Sequence, residues 1–341
     1  MRITILSKID YAASGHKMCE ALQKHTDHDV EIWTGDKRLY PLTNLKEELM
    51  NRRFRHPNKT NVVNPFTRRR VQDRVDASDI VHVKGDWPAV DGYLGLKISH
   101  KPVIQTTSGS SFRKRIFGGR EKWIPNDYKE VTLRTAFEPD LLYADYGDVW
   151  IPHPIDSVGK ENLWKDSGPI VLMHSPTNRK VKGTWFVESV FEKLKQKYDM
   201  ECVILENMLF EDVVEERKRA TIFFDQFLVG FYGNSALEAM QHGIPVAAWI
   251  SDMAVTKARG ALDGCPVITN RIVADEFAGV IYNLLEYNKI KEISLKTKEW
   301  CDNVHSYQAV AKKCDQLYKQ TAWKRRGSGK NYLESIFIFK K

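Results

Sequence analysis

Apolar positions recur along this chain in two rhythms. Short β-rich runs alternate with longer stretches in which apolar residues return every three to four positions. "RITILS" (Arg2–Ser7) is the first run. A small-residue loop, "KIDYAASG", follows, and an amphipathic helix is predicted from about His16 to Lys24. "HDVEIWTG", "ASDIVHVKG" and "KPVIQTTSG" read as three more strands, and "PDLLYADYGDVWIPHPID" as a strand, a turn and another strand. Residues 38–76 are polar and basic and read as helices plus a loop; residues 110–130 read as a loop with a short helix. This order builds a parallel sheet with helices on its faces.

The rhythm lapses over residues 153–168, "HPIDSVGKENLWKDSG", where proline, glycine and charge cluster. It then restarts. "PIVLMHSP" is a strand, Thr184 to about Tyr198 a helix, "MECVILEN" a strand, Phe210–Ala220 a helix and "TIFFDQF" a strand. A helix from Ser235 to about His242 leads into the strands "IPVAAW" and "GCPVIT", and the chain is helical from there to about Trp323. At 341 residues the chain is too long for one typical core and suits two. The expected architecture is therefore α/β: two doubly wound domains facing across a cleft, residues 1–155 and 156–323. The last helix is expected to pack back on the first domain. Residues 324–341 form a tail outside the fold argument. In such sheets ligands bind beyond the carboxyl ends of the strands.

Charge narrows the partners. The formal net charge is +8, and the basic runs "NRRFRH", "FTRRRVQDR" and "FRKRIFGGREK" all precede residue 125. An anionic acceptor or a membrane surface is expected at the N-terminal third, with nucleic acid a further candidate and a solvated basic surface the competing reading. Phe112, Phe117 and Trp123 interleave with the last run, as at an anionic interface. The five cysteines form no C-x-x-C pair and are odd in number, which argues against a disulfide framework or zinc ribbon and for a reducing compartment. The start "MRITILSKID" lacks the apolar run of a signal peptide, and no window approaches ~18 apolar residues. A cytoplasmic protein, able to sit peripherally at a membrane, is the expectation.

Four stretches carry candidate chemistry. In "GFYGNSALEAMQHGIPVAAW" (Gly230–Trp249), Gly230 and Gly233 permit a tight turn, Asn234 is placed to cap a helix, and Glu238 follows about one turn on. A carboxylate there can accept from a vicinal diol. The amides around Tyr232, Gly233, Asn234 and Ser235 can hold a diphosphate or a sugar. An ordinary helix-to-strand turn with a half-buried glutamate is the alternative. "HSPTNRKVKGT" clusters Arg179, Lys180 and Lys182 near a helix start, suiting a diphosphate. "DYAASGHK" brings Gly15 between the first strand and helix. "VIQTTSGSSFRKR" sets Ser108, Gly109, Ser110 and Arg113 after a strand.

The string "GNSALEAMQHGIPVAAW" resembles the donor-binding signature of retaining glycosyltransferases with the GT-B fold, family 4 in particular, whose pattern runs roughly G-x-x-x-x-E-A-M-A-x-G-x-P-V. The resemblance covers most of the chain and is strongest over residues 169–285. "IPHPID" (Ile151–Asp156) looks like that family's interdomain "I-P-N-G-I-D". The resemblance implies transfer of a sugar from a nucleotide-diphosphate-sugar to an acceptor hydroxyl. Glu238 would bind the ribose, Arg179 and Lys182 the phosphates, and the loop at Gly15 would close over the donor. No metal or cofactor is implied. The family often carries a second glutamate eight positions before the first. Here that position is Gly230, and its task would pass to Asp225, Gln226 or backbone amides. Ser108 stands where the family has a histidine near the reaction centre, with His82 as a substitute or a structural residue. Ser110 and Arg113 would serve the acceptor. Other readings are an epimerase on the same fold, which needs catalytic carboxylates in the cleft, a non-catalytic nucleotide-sugar or anion binder, and a glycosyltransferase acting on modified nucleic acid.

Overall fold

The computed structural model describes residues 1–35, 63–85, 91–109, 131–142 and 149–326. Six parallel strands form the first sheet: β1 (Arg2–Ser7), β2 (Asp29–Thr34), β3 (Ile80–Lys84), β4 (Val103–Thr107), β5 (Leu133–Ala136) and β6 (Val149–Trp150), in the order β2-β1-β3-β4-β5-β6. Helices α1 (Ser14–His25) and α2 (Arg68–Asp76) cover its faces. Alternate residues of β1 explain both layers. Ile3 and Ile5 pack with Met18 and Leu22 of α1, whereas Leu6 turns to the other face, with Val71 and Val75 of α2.

A second parallel sheet, in the order β10-β9-β7-β8, uses β7 (Ile170–His174), β8 (Met200–Ile204), β9 (Ile222–Phe224) and β10 (Val246–Ala247). Helices α3 (Thr184–Lys195), α4 (Phe210–Arg217), α5 (Asn234–Met240), α6 (Asp252–Ala258), α7 (Ala274–Glu286) and α8 (Ile290–Trp300) follow in chain order. Leu172, Ile222 and Phe224 meet Phe186 and Val190 of α3 and Phe277 of α7 on one face. Val171, Met173 and Phe223 meet Leu237 and Met240 of α5 on the other. Each such buried apolar side chain contributes about 1.5–3 kcal/mol.

The last helix, α9 (Tyr307–Arg326), lies against α1 and joins the first sheet's core through Val310, Cys314 and Tyr318. The outgoing and returning segments run side by side between the sheets. Ile155 N–H donates to His305 O at 2.8 Å, and Tyr307 N–H donates to Ile155 O at 3.1 Å. One π-helical turn, Cys301–His305, bends the returning chain.

Two strand expectations need correction. Within "PDLLYADYGDVWIPHPID", Pro139–Leu141 forms a 3₁₀ turn rather than a strand, and only Val149–Trp150 pairs. The true neighbour of β4 is β5, four residues whose buried Arg134 and Thr135 mask it as polar sequence. "GCPVIT" reduces to a single bridge, Ile268 to Ala247. Of residues 38–76, α2 is helical as expected, and 38–62 lie outside the described residues, as do 110–130 and the end of the tail from 327. No helix among the described residues is long and apolar enough to cross a membrane.

Candidate active site

The carboxyl ends of β7 and β9 carry one compact polar network. Asp225 is the residue after β9 and is 2% exposed. Its Oδ1 accepts from Lys182 Nζ at 2.6 Å and from Ser235 Oγ at 2.9 Å, and its Oδ2 from Gly233 N–H at 2.6 Å. Burial alone would raise the carboxyl's pKa. The Lys182 ammonium and these hydrogen bonds outweigh it and hold Asp225 below its ordinary value.

Local structure explains how a lysine arrives there. Residues Arg179–Lys182 form one helical turn, capped by Asn178, whose side chain accepts from the N–H groups of Lys180 and Val181. Gly183 then adopts φ +72°, where a Cβ would meet the Leu228 side chain at 3.2 Å. Only a glycine passes that corner without strain, and Lys182 is left with its ammonium also 3.3 Å from Ser235 Oγ. Across the loop, a Cβ at Gly233 would stand 3.5 Å from Lys182 Nζ and shield it.

Glu238 lies one turn into α5. Arg217, 2% exposed at the end of α4, donates from Nη1 to Glu238 Oε2 at 2.6 Å and from Nη2 to Ser175 Oγ at 3.2 Å. Its guanidinium lies over the Phe223 ring, 4.9 Å from the centroid. The pair fixes the carboxylate, and among the described residues no hydrogen bond reaches Oε1.

The structure brings Lys182, Asp225, Gly233, Ser235 and Glu238 to one edge and gives other expected residues different work. Asn234 does not cap α5. Gly233 holds that position, with its amide on Asp225. Asp225 is enclosed by its three partners and braces the loop rather than presenting an oxygen to a sugar. Gln226 also braces it: its side chain donates to Phe231 O, and its backbone carbonyl accepts from Trp249 N–H at 3.0 Å. Tyr232 is a core residue at 1% exposure, its hydroxyl paired with His305 at 2.8 Å and accepting from Trp300 Nε1 at 3.2 Å. Gly230 has φ +87°, and a Cβ there would meet Ser251 Oγ at 2.9 Å, so a glutamate does not fit this backbone. Arg179 turns outward to Glu206 at 2.7 Å and to Glu188; the Glu188 hydrogen bond, followed by Glu206, raises its pKa although partial burial opposes them.

In the first sheet, His82 cannot stand in for the missing histidine. It is fully buried in mid-strand, with Nδ1 on Tyr318 OH at 2.7 Å and Nε2 on Thr106 Oγ1 at 2.6 Å. Burial depresses its pKa to about 3, so it is a neutral core group. Ser108 follows β4 at the carboxyl edge, with Gly109 beside it at φ +89°. Ser110 and Arg113 lie outside the described residues. Gly15 is the second residue of α1, and its N–H donates to Asp10 Oδ1 at 2.8 Å.

Sequence reasoning missed three charged residues that set this architecture. Asp10 is fully buried, 2.6 Å from both Lys84 Nζ and His16 Nδ1. The first sheet therefore repeats the device of the second: a buried aspartate after a strand holds a buried lysine and the amide of a glycine at a helix start. A lysine ending the apolar run "IVHVK" was the available signal. Arg217 gave none, because its partner lies 21 positions away.

No protein-family model matches the sequence, and no curated protein resembles it significantly. Solved structures do share its fold. An α-glucosyltransferase in complex with UDP and a 13-mer DNA containing an HMU base superposes with TM-score 0.64 at 11% identity, covering 95% of this chain and 100% of that one. Anabaena HepE, in complex with UDP and glucose, gives 0.58 at 12% identity, covering 94% and 100%. Sucrose-phosphate synthase from Thermosynechococcus elongatus gives 0.56 at 12% identity, covering 94% and 99%. The chain has the GT-B fold of these glycosyltransferases over nearly its whole length.

Proposed function

We propose that the protein is a retaining, metal-independent glycosyltransferase using a nucleotide-diphosphate-sugar, and that its acceptor is anionic. The observation that carries this reading is the Lys182–Asp225–Ser235–Gly233 network, set one helical turn from the Arg217-fixed Glu238 at the carboxyl edge of a GT-B sheet.

The assignments follow from charge and reach. Lys182 meets the diphosphate and stabilises the charge that grows on it as the sugar leaves. Arg179 exchanges its two surface carboxylates for phosphate when donor enters. Glu238 accepts from the ribose diol through Oε1 while Arg217 retains Oε2. The first-turn amides of Asn234 and Ser235 have no intrahelical acceptor and face the same ligand. Phosphate charge is thus met by side chains and amides without a metal. Asp225, the carboxylate beside Lys182, is enclosed by its own partners, so in this reading the leaving diphosphate takes the acceptor proton. Ser108 and the Gly15 loop approach from the first domain as the cleft closes.

Purified protein is to be screened by thermal shift against UDP-, GDP-, ADP-, CMP- and dTDP-sugars without metal, UDP-sugars first because two structural neighbours hold UDP. Ligand binding to the native state raises Tm by mass action. A shift with one nucleotide class, lost in Glu238→Ala and reduced in Glu238→Gln, is expected. Lys182→Ala should lower kcat about 100-fold or more, and NMR of the product should show the donor's anomeric configuration kept. Unchanged transfer in both Glu238→Ala and Lys182→Ala would sink the reading. One neighbour is in complex with DNA and another is named a sucrose-phosphate synthase, so the fold does not choose an acceptor, which has to be read from this chain's own surface.

A further inference from the structure

The first turn of α2 carries three consecutive exposed arginines. It sits at the carboxyl edge of that sheet: Val63 N–H donates to Thr34 O, the last residue of β2, at 2.8 Å, and the chain enters α2 five residues later. A turn around Asn64 fixes the approach. Its Oδ1 accepts from the N–H groups of Phe66 and Thr67, at 2.9 and 3.1 Å, and its own N–H donates to Thr67 Oγ1 at 2.9 Å. These bonds hold Phe66 in solvent, 96% exposed, although a folded chain gains by burying that ring.

Arg68, Arg69 and Arg70 follow directly, all exposed. Among the described residues none is paired with a carboxylate, whereas Arg74, one turn on, is held by Asp29 at 2.7 Å. The stems of two are braced. Arg68 lies against Gly95, where a Cβ would be 3.0 Å from its Nε, and the Arg70 guanidinium stands 5.6 Å from the Trp33 ring centroid. Three cations in a helix's first turn oppose its dipole, and no acidic residue offsets them there. The Arg70–Trp33 contact offsets part of this local cost, about 0.5–1 kcal/mol at an exposed site. From this rim a shallow groove runs along α2, lined by Arg68, Arg69, Gln72 and Lys97 and also by the acidic Asp73 and Asp76.

We infer that this rim is a nucleic-acid-binding surface and that the sugar acceptor is a nucleic acid. The inference rests on the glycosyltransferase reading for the word acceptor, and on the surface alone for the binding. Successive guanidiniums suit successive backbone phosphates, and an uncovered aromatic ring on a held backbone suits an unstacked base. A bilayer fits less well, because a surface helix needs an apolar face to insert. The apolar face of α2 is already spent: Val71 and Val75 are fully buried in the domain core.

The test uses the full chain and fluorescein-labelled oligonucleotides, single-stranded DNA, duplex DNA and RNA, followed by anisotropy across about 50–200 mM KCl. Binding should weaken steeply with salt. Arg69→Ala/Arg70→Ala should flatten the single-strand log K against log salt slope by about 1.4, two contacts at about 0.7 each. Phe66→Ala should weaken single-strand binding about tenfold with the slope unchanged. Lys193→Ala/Lys291→Ala, on the second domain, should change neither. No oligonucleotide binding by the wild type, or unaltered slope in the arginine variant, would overturn the inference. So would binding confined to phosphatidylserine vesicles. The same variants are to be scored for the UDP-glucose thermal shift. A retained shift with no oligonucleotide binding fails the acceptor alone. Oligonucleotide binding with no shift from any nucleotide-sugar fails the donor reading and leaves the surface standing.

Discussion

Lys182 and Asp225 meet at 2.6 Å with the carboxylate completely enclosed and the lysine side chain 11% exposed. The pair is therefore one-sided: protein holds the anion, and the cation keeps the only open face. A buried ion pair is a poor source of stability, because desolvation offsets its attraction, but breaking one is costly. Its value lies in placing a fixed positive charge at a cleft edge.

Asp225→Ala should therefore destabilise the protein by about 3–5 kcal/mol in urea unfolding, by leaving a buried ammonium unpaired. Adding Lys182→Met should recover most of the loss while abolishing transfer. A double variant no more stable than Asp225→Ala would show that the cost is not one of charge. The pair also sets an acid limit. The folded pKa of Asp225 lies below its unfolded value of about 3.9. Its contribution is thus complete at neutral pH, and it is lost as pH falls below about 4 through the folded value.

In the proposed reading Glu238 carries two duties, and they separate by substitution. Removing its carboxylate leaves Arg217 buried without a counter-charge, so Glu238→Ala should cost fold stability as well as donor binding. Glu238→Gln keeps an acceptor for Arg217 and weakens the diol contact. It should lower Tm little and raise the donor KM about tenfold, one charge-assisted hydrogen bond being worth about 1.5–3 kcal/mol. Equal losses of Tm in both variants, with donor KM unchanged in Glu238→Gln, would make the glutamate purely structural.

Tyr232 joins the donor-side loop to the crossover between domains. Its hydroxyl meets His305 Nε2, and His305 Nδ1 lies 2.9 Å from His153 O. Tyr232→Phe leaves His305 Nε2 and Trp300 Nε1 without this partner and should cost about 1–3 kcal/mol of stability. Nucleotide-sugar affinity at a temperature where the variant is folded should stay unchanged. A selective rise in donor KM would return Tyr232 to the ligand contacts.

The sequence declared its strands and helices where one physical signal dominated. β1 and β7 are apolar runs, and both appear almost as read. β5 was hidden because its buried positions include Arg134 and Thr135, the second paired across strands with Thr106, rather than a run of apolar side chains. The site divides the same way. Lys182, Gly233 and Glu238 lie on short motifs whose spacing fixes their direction. Arg217 became visible only when the sheet brought it to a carboxylate 21 positions away, and Lys84, signalled only as a lysine ending an apolar run, finds its partner 74 positions away. His82 misled for the converse reason: a histidine at a strand's polar end and one in mid-strand look alike until the partner helix, α9, is seen to cover it with Tyr318.

Three buried histidines should make the fold acid-sensitive well above the carboxylate range. Burial is the largest cause in each case, pushing His82 and His305 down to about 3 and His174 to about 4. Hydrogen bonds only partly oppose it: His174 to Phe224 O and His305 to His153 O. In the unfolded chain a histidine titrates near 6.5. As pH falls below that value the unfolded state takes up protons that the folded state refuses, so stability is full above about pH 6.5 and declines toward pH 4. Each histidine contributes about 1.4 kcal/mol per pH unit in that window, and three together would remove a marginal stability of about 5–15 kcal/mol within a few units. Urea titrations at stepped pH should show this slope. His82→Gln, which can still pair with Thr106 or Tyr318 but does not protonate, should reduce it by about one proton while lowering stability at neutral pH. A flat profile between pH 6.5 and 4.5 in the wild type would mean that these rings can be protonated in the folded protein, and that the sites holding them open to water.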